Sequence, residues 1–181
     1  MRRGFGRPLR SGFAGNIPTL LQHANQLLST GNYSEAASAF EQLGRAAEAR
    51  GGPRAPFFYI QAGRAHILGR QIAPGLEYLQ RGLGLFAVRG QAGKVFNVGN
   101  RIVGELNQHG LNKEAAQINA YIKSLIPNFN GNLGEPAQAK RSPLPTHCPG
   151  CGAPVRPDEV EWLDDATAEC AFCGSPVRGE S

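Results

Sequence analysis

Long apolar runs are missing from this chain of 181 residues. No stretch approaches the roughly 18 consecutive apolar residues that a membrane-spanning helix requires, so the sequence predicts no membrane segment and no membrane partner. The N-terminal residues MRRGFGRPLRSGFAGN alternate arginines with glycines and hold no apolar core, which argues against a cleaved secretory signal. We therefore expect a cytoplasmic protein.

Cysteine and aspartate are also missing from most of the chain. The 4 cysteines all lie at or after residue 148, in two C-x-x-C pairs, and the three aspartates all follow residue 157. In a reducing compartment such pairs indicate metal binding before disulfide formation. Hydrophobic residues make up 41% of the chain and charged residues 18%, which is enough apolar material for one domain and a small appendage.

Charge is divided unevenly along the chain. Residues 1–15 carry four arginines and no acid, and residues 16–127 carry 11 Lys+Arg against 6 Asp+Glu, a net charge of +5. Residues 148–181 carry two arginines against seven acids, a net charge of −5. This opposition leads to the hypothesis that the C-terminal segment folds back onto the basic body and covers it.

Apolar residues recur at steps of three and four in six segments, which is the spacing of amphipathic helices. The segments are 17–28, 33–43, 57–67, 76–86, 95–106 and 115–125. Glycine-containing turns between segments predict that the six helices form three antiparallel hairpins. Asn32 lies three residues before Glu35, which predicts a capping box at the start of the second helix.

The first hairpin carries the phrase G-x-Y-x-x-A-x-x-x-F over residues 31–40 and resembles a tetratricopeptide repeat. The matching positions Ala36, Gly75 and Ala116 are spaced by 39 and 41 residues, longer than the roughly 34 residues of that family. The resemblance implies a mainly α fold, with three stacked hairpins over residues 16–127 and a small β module after them. An irregular six-helix bundle is the alternative.

Tetratricopeptide arrays usually act through the face lined by the first helix of each hairpin. The resemblance places Asn25, Arg64 and Arg101 on this face, where they would hold an acidic or carboxylate-bearing protein or peptide partner. The alternative is that all three are ordinary exposed polar residues.

Two segments outside the helices lack any periodic pattern. Residues 1–15 are predicted to be a disordered basic Arg/Gly tail. Residues 128–146, rich in Asn, Gly and Pro, are predicted to be a flexible linker. The last unit then covers residues 147–181.

The strongest chemical signal is C-P-G-C-G followed by C-A-F-C-G. Two C-x-x-C turns can present four thiolates to one tetrahedral ion, and the glycine after each pair permits the positive φ of a tight turn. Residues 147–181 resemble the zinc ribbon family. That resemblance implies that Cys148, Cys151, Cys170 and Cys173 together bind one structural Zn²⁺.

Three alternatives use the same cysteines. A thioredoxin-like redox pair would need a βαβ setting, which the sequence lacks. A rubredoxin-like iron site would imply an electron carrier and uses similar turns. His147 would replace one ligand in the third alternative, but with four well-spaced cysteines present we interpret it as a solvated linker residue.

The sequence indicates a protein that is not an enzyme. Four thiolates close the metal shell, whereas a catalytic zinc keeps an open position. Glu159, Glu161, Asp164 and Asp165 are interpreted as a solvated loop. The helical part shows no nucleophile with a base, no phosphate loop and no sign of a small-molecule substrate site.

The favoured function is a non-enzymatic protein–protein interaction adaptor. One alternative is a nucleic-acid-binding accessory factor of transcription or translation that makes contact through the basic tail and body. It is less favoured because a ribbon of net charge −5 repels phosphate. The other alternative is an iron-loaded, rubredoxin-like electron carrier.

Overall fold

The computed structural model describes residues 17–129, 142–157 and 159–179. The predicted tail 1–15 and most of the predicted linker 128–146 lie outside the described residues. Below, residues 17–129 are called the helical body, and residues 142–157 with 159–179 are called the C-terminal module.

The helical body contains six helices within its described residues. They are α1 (Ile17–Ser29), α2 (Tyr33–Glu48), α3 (Ala55–Leu68), α4 (Ile72–Val88), α5 (Ala92–Gln108) and α6 (Asn112–Leu125). Helices adjacent in sequence pack against each other, and α4 also contacts α6. The chain is therefore mainly helical, as its periodicity predicts. None of these helices combines the length and apolar character that a membrane crossing requires.

One type of turn joins all six helices. Each turn contains one residue in the left-handed conformation, at intervals of about 20 residues. The five are Gly31 (φ 81°), Gly51 (φ 66°), Arg70 (φ 61°), Gly90 (φ 70°) and Gly110 (φ 76°). The N–H of the following residue donates to the carbonyl oxygen five residues earlier, at 2.8–3.0 Å, as in a Schellman motif. Only Arg70 takes this strained conformation without being glycine.

The capping box predicted at Asn32 is wrong. The Asn32 side chain makes no capping hydrogen bond to α2, and its amide instead lies 3.4 Å from the Thr30 hydroxyl. Asn32 closes the turn after α1 while it also precedes α2. Its ψ of 61° is therefore outside the extended conformation that a capping residue adopts.

Close approach of α3 and α4 depends on glycine. A Cβ placed on Gly63 would lie 2.8 Å from the carbonyl oxygen of Gly75, and one on Gly75 would lie 3.1 Å from the carbonyl oxygen of Gly63. The two backbones therefore touch, with no room for a side chain between them. The core of the helical body contains large buried side chains such as Phe40, Leu83 and Phe86.

The C-terminal module contains a small antiparallel sheet with strand order β1-β2-β3 among its described residues. The strands are β1 (Glu161–Trp162), β2 (Thr167–Glu169) and β3 (Pro176–Arg178). Ala168 pairs with Val177 across β2 and β3, and both side chains are fully buried. A separate bridge joins His147 to Pro154 in the first C-x-x-C turn.

Candidate metal centre

Two similar turns carry the four cysteines of the C-terminal module. In the first turn, the N–H of Cys148 donates to Ala153 and the N–H of Gly152 donates back to Cys148. In the second, Cys170 is paired in the same way with residues 174 and 175. Gly152 and Gly174 have φ values of 71° and 74°, so the prediction of positive φ after each pair is confirmed.

The two turns bring their sulfur atoms together. All four Sγ atoms lie within 4.8 Å of one another, and no other group of three or more such ligands occurs among the described residues. The Sγ atoms of Cys148 and Cys173 are 3.6 Å apart, and those of Cys151 and Cys170 are 3.8 Å apart. A tetrahedral site with metal–sulfur bonds of about 2.3 Å has sulfur–sulfur edges of about 3.8 Å. The four sulfurs therefore fit one tetrahedral metal ion.

The environment of the sulfurs favours thiolate at one position and thiol at another. The thiol of Cys151 donates a hydrogen bond to Cys170, which lowers the pKa of Cys170 to about 5. The same hydrogen bond, followed by burial, raises the pKa of Cys151 well above its ordinary value. Burial raises the pKa of Cys148. Such closely packed sulfurs cannot all ionise without a cation between them, which is the chemistry of a metal-binding donor set.

Neighbouring residues support the sulfur cluster without joining it. The N–H of Ser175 points at the sulfur of Cys173, at 3.4 Å. The ring of His147 is exposed and lies 3.1 Å from the Thr146 hydroxyl, as expected for a solvated residue. Three of the four sulfurs belong to buried residues, and Cys173 is half-buried.

An aromatic contact attaches the C-terminal module to the helical body. Phe172, between the last two cysteines, is 3% exposed. Its ring centroid lies 5.7 Å from that of Phe57 and 6.4 Å from that of Phe58, both on α3. Phe57 in turn packs edge-to-face against Phe86. Phe172 is thus part of the apolar core of the helical body.

Hydrogen bonds from α1 reach the first C-x-x-C turn. The Gln22 amide donates to the carbonyl oxygen of Gly150 at 2.8 Å, and the Asn25 amide donates to that of Cys151 at 2.9 Å. Asn25, predicted from the sequence to contact a partner, therefore contacts the C-terminal module of its own chain.

Ion pairs hold the other side of the C-terminal module. Arg54, just before α3, lies 2.5 Å from Glu169, and Arg101 on α5 pairs with Glu159. A Cβ on Gly174 would collide with the Arg54 guanidinium, so this glycine also provides the space for that ion pair. The hypothesis that the acidic segment folds onto the basic body agrees with these contacts.

Arg64 and Glu159 differ in environment from what the sequence indicates. Arg64 binds both carboxylate oxygens of Glu105, at 2.8 and 2.9 Å, and so pairs within the helical body. The prediction that Glu159 belongs to a solvated loop is wrong, because this residue is only 4% exposed. Its carboxylate can be buried because it forms an ion pair with Arg101. Glu161, Asp164 and Asp165 are exposed as expected.

Sequence reasoning missed several residues of this interface. Gln22, Arg54, Phe57, Phe58 and Phe172 all make contacts across it. Phe172 could have been predicted as an interface residue. A module this small has little core to bury an aromatic side chain that lies between two cysteines, so that side chain must pack elsewhere. Arg54 and Gln22 carry no such signal, since their partners lie more than 100 residues away.

The chain matches no protein-family model, and neither a curated protein nor a solved structure is significantly similar to it.

Proposed function

We propose that this protein is a non-enzymatic interaction adaptor in which a structural zinc ribbon covers one face of a tetratricopeptide-like array. The observation that carries the proposal is the convergence of four cysteine sulfurs, within 4.8 Å of one another, beside a face lined by α1, α3 and α5. The five similar turns and the sequential helix packing support the array.

Zinc suits this donor set because four thiolates in a tetrahedron are a typical structural zinc shell. A shell of four protein ligands leaves no position for water or substrate, so the metal would stabilise the fold without performing chemistry. The nearby carboxylates of Glu159 and Glu169 pair with arginines of the helical body, which supports a structural role for them too.

Metal analysis tests this part of the proposal. Protein purified without chelator should be colourless and contain one zinc per chain, whereas an iron-loaded ribbon would be coloured. After replacement of zinc by cobalt(II), the visible spectrum should show tetrahedral thiolate coordination that added azide does not change. A spectrum that shifts with azide would reveal an open position and contradict the structural role. A zinc content below about half an equivalent would contradict zinc binding.

The adaptor role rests on the chemistry of the α1, α3 and α5 face. This face recognises a polypeptide within the chain through amides, arginines and phenylalanines. These groups are the ones that protein interfaces use for recognition. A protein partner that contacts the ribbon together with the neighbouring helices would therefore depend on the ribbon being folded.

A matched pair of variants tests the adaptor role. Tagged wild-type protein, Cys170→Ser and the control Ala171→Ser would be used to isolate partners, which are identified by mass and then purified. A partner that rebinds wild type and Ala171→Ser with equal affinity, but binds Cys170→Ser more weakly, would support the proposal. The absence of any partner that rebinds in purified form would count against it.

The nucleic-acid alternative is weakened by the pairing of the arginines. Six arginines of the described residues form ion pairs within the chain. They are Arg45, Arg54, Arg64, Arg81, Arg101 and Arg156. A cation paired in this way contributes less to phosphate binding, because the pair must be broken or shared first.

A further inference from the structure

A cavity of about 260 Å³ lies where the C-terminal module meets the helical body. Its walls come from α1, α3, α4 and α5 and from the first cysteine turn, and most of them are apolar. The apolar helix residues are Leu28, Ile67, Leu68, Leu79, Ile102 and Leu106. An apolar cavity of about 150 Å³ holds one benzene, so this one has room for on the order of ten non-hydrogen atoms.

Gln61 of α3 supplies a polar group to this cavity. The residue is 3% exposed and lines the cavity. Its side-chain amide makes no hydrogen bond within the described residues, and its polar atoms are not fully enclosed, because only the Arg156 Nη1 atom is both buried and unpartnered there. The Gln61 amide is therefore free to form a hydrogen bond with a ligand atom.

Arg156, from the C-terminal module, faces the same cavity. Its Nη1 atom is buried and makes no hydrogen bond. That atom lies 3.6 Å from Glu105 and 4.0 Å from Glu159, and each of these carboxylates has a closer arginine. The Arg156 guanidinium is thus held near the cavity by loose ion pairs, with hydrogen-bond donors to spare.

We propose that this cavity binds a small apolar monocarboxylate of about ten non-hydrogen atoms. The apolar part packs against the leucine and isoleucine side chains. The carboxylate accepts hydrogen bonds from the Gln61 amide and the Arg156 guanidinium, which satisfies both groups. Arg64, Glu105 and His109 also line the cavity. Arg64 and Glu105 pair with each other through two hydrogen bonds, which leaves Arg156 as the charged residue of the lining with a nitrogen that makes no hydrogen bond. A phosphate ester would place more charge against the apolar walls than a monocarboxylate does.

This site is composite, since Gln61 belongs to the helical body and Arg156 to the C-terminal module. A ligand that contacts both parts stabilises the docked arrangement by mass action. The proposal is therefore independent of whether the protein is an adaptor, but it requires the module to be folded and docked.

Titration of the full metal-loaded chain tests the proposal, with 3-phenylpropanoate as the probe and 3-phenylpropanamide as its uncharged match. Calorimetry should show saturable binding of one 3-phenylpropanoate per chain and at least about tenfold weaker binding of the amide. Acetate, which lacks the apolar part, should not bind. Equal binding of acid and amide, or no saturable binding of either, would overturn the proposal.

Variants locate the bound carboxylate. Arg156→Gln should weaken 3-phenylpropanoate binding at least about tenfold, while Arg178→Gln, the same change on an exposed strand residue outside the cavity, should leave it unchanged. Gln61→Leu should also weaken binding while the midpoint of chemical unfolding stays about equal, because the change removes no hydrogen bond within the described residues. Full binding by Arg156→Gln and Gln61→Leu would overturn the proposal.

Metal content is measured on each of these preparations. A variant that keeps its metal but no longer binds 3-phenylpropanoate reports on the cavity alone. Loss of metal together with binding would instead show that the module had unfolded, and Gln61→Leu, which lies far from the cysteines in sequence, then decides the outcome.

Discussion

The helical body buries large aromatic and aliphatic side chains such as Phe40, Leu83 and Phe86, whereas the C-terminal module buries three cysteines and few larger apolar groups. With three strands of two or three residues each, the module has too little core to fold by burial alone. It relies on its sulfur cluster and on Phe172, which joins the core of the body. The body therefore has enough core for its own packing, while the module packs against its neighbour and has four sulfurs that fit a metal ion.

The largest expected effect comes from removing one sulfur. Cys170→Ser should reduce the bound metal from one equivalent to none and unfold the module, because a three-ligand site loses the closed shell that holds the two turns together. The helical circular-dichroism signal should fall by less than about a tenth, since the helices bury their own core. Ala171→Ser, which adds a hydroxyl at the next residue, should keep both the metal and the helix signal.

A large loss of helix signal in Cys170→Ser would mean that the body also depends on the metal. The contrast between the two regions would then be wrong, and the chain would fold as one unit.

The second effect separates docking from metal binding. Phe172→Ala removes the aromatic contact with Phe57 and Phe58 and should weaken docking by about 3 kcal/mol, as for other buried phenylalanines. Metal content should remain one equivalent. Amide NMR signals of α3 should shift toward those of Cys170→Ser. In the control Phe96→Ala, which removes a contact with Phe129, the signals of the module should not move.

The third effect concerns the body alone. Gly63→Ala should lower the free energy of unfolding by about 1–3 kcal/mol, because its Cβ would press on the Gly75 carbonyl oxygen and on Leu79. Gly104→Ala, on α5, meets nothing within 4 Å and should raise that free energy by about 0.5–1 kcal/mol. Urea unfolding measures both. Equal effects of the two changes would show that α3 and α4 are less closely packed than described.

The smallest expected effect tests the repeated turn. Arg70→Gly should raise the free energy of unfolding by up to about 1 kcal/mol, because glycine adopts a φ of 61° without strain. Gly90→Arg, the reverse change at the equivalent turn, should lower it by about the same amount. Thermal unfolding of the two variants checks the sign. Destabilisation by Arg70→Gly would mean that the arginine side chain contributes more than the turn strain costs.

The local features of this fold were predictable because their causes are local. Helical periodicity predicted six helices, and the C-x-x-C-G pattern predicted the left-handed conformation found at Gly152 and Gly174. The cysteine spacing also predicted a cluster of four sulfurs close enough to bind a metal. Each of these depends on residues a few positions apart, so a single sequence contains the information.

The interface between the C-terminal module and the helical body was predictable only as an attraction between opposite net charges. The opposite net charges of the two regions indicated attraction, but not which charges meet. Arg54 and Glu169 are 115 residues apart, and no local pattern links them. Glu159 was misread for the same reason, since only the fold shows that Arg101 lies beside it. The contact of the Asn32 amide with the Thr30 hydroxyl, in place of the predicted cap, likewise depends on how the turn after α1 meets the start of α2.

The order of synthesis gives the aromatic contact a further consequence. Phe57 and Phe58 leave the ribosome long before Phe172, which follows the end of α6 by 47 residues. At ordinary translation rates of about 5–20 residues per second, synthesis of the stretch between the end of α6 and Phe172 takes about 2–10 seconds. During this interval the face that later holds the module is bare on the nascent chain, although all six helices have been made. The four-sulfur cluster is complete only after this interval, because Cys173 follows Phe172 directly.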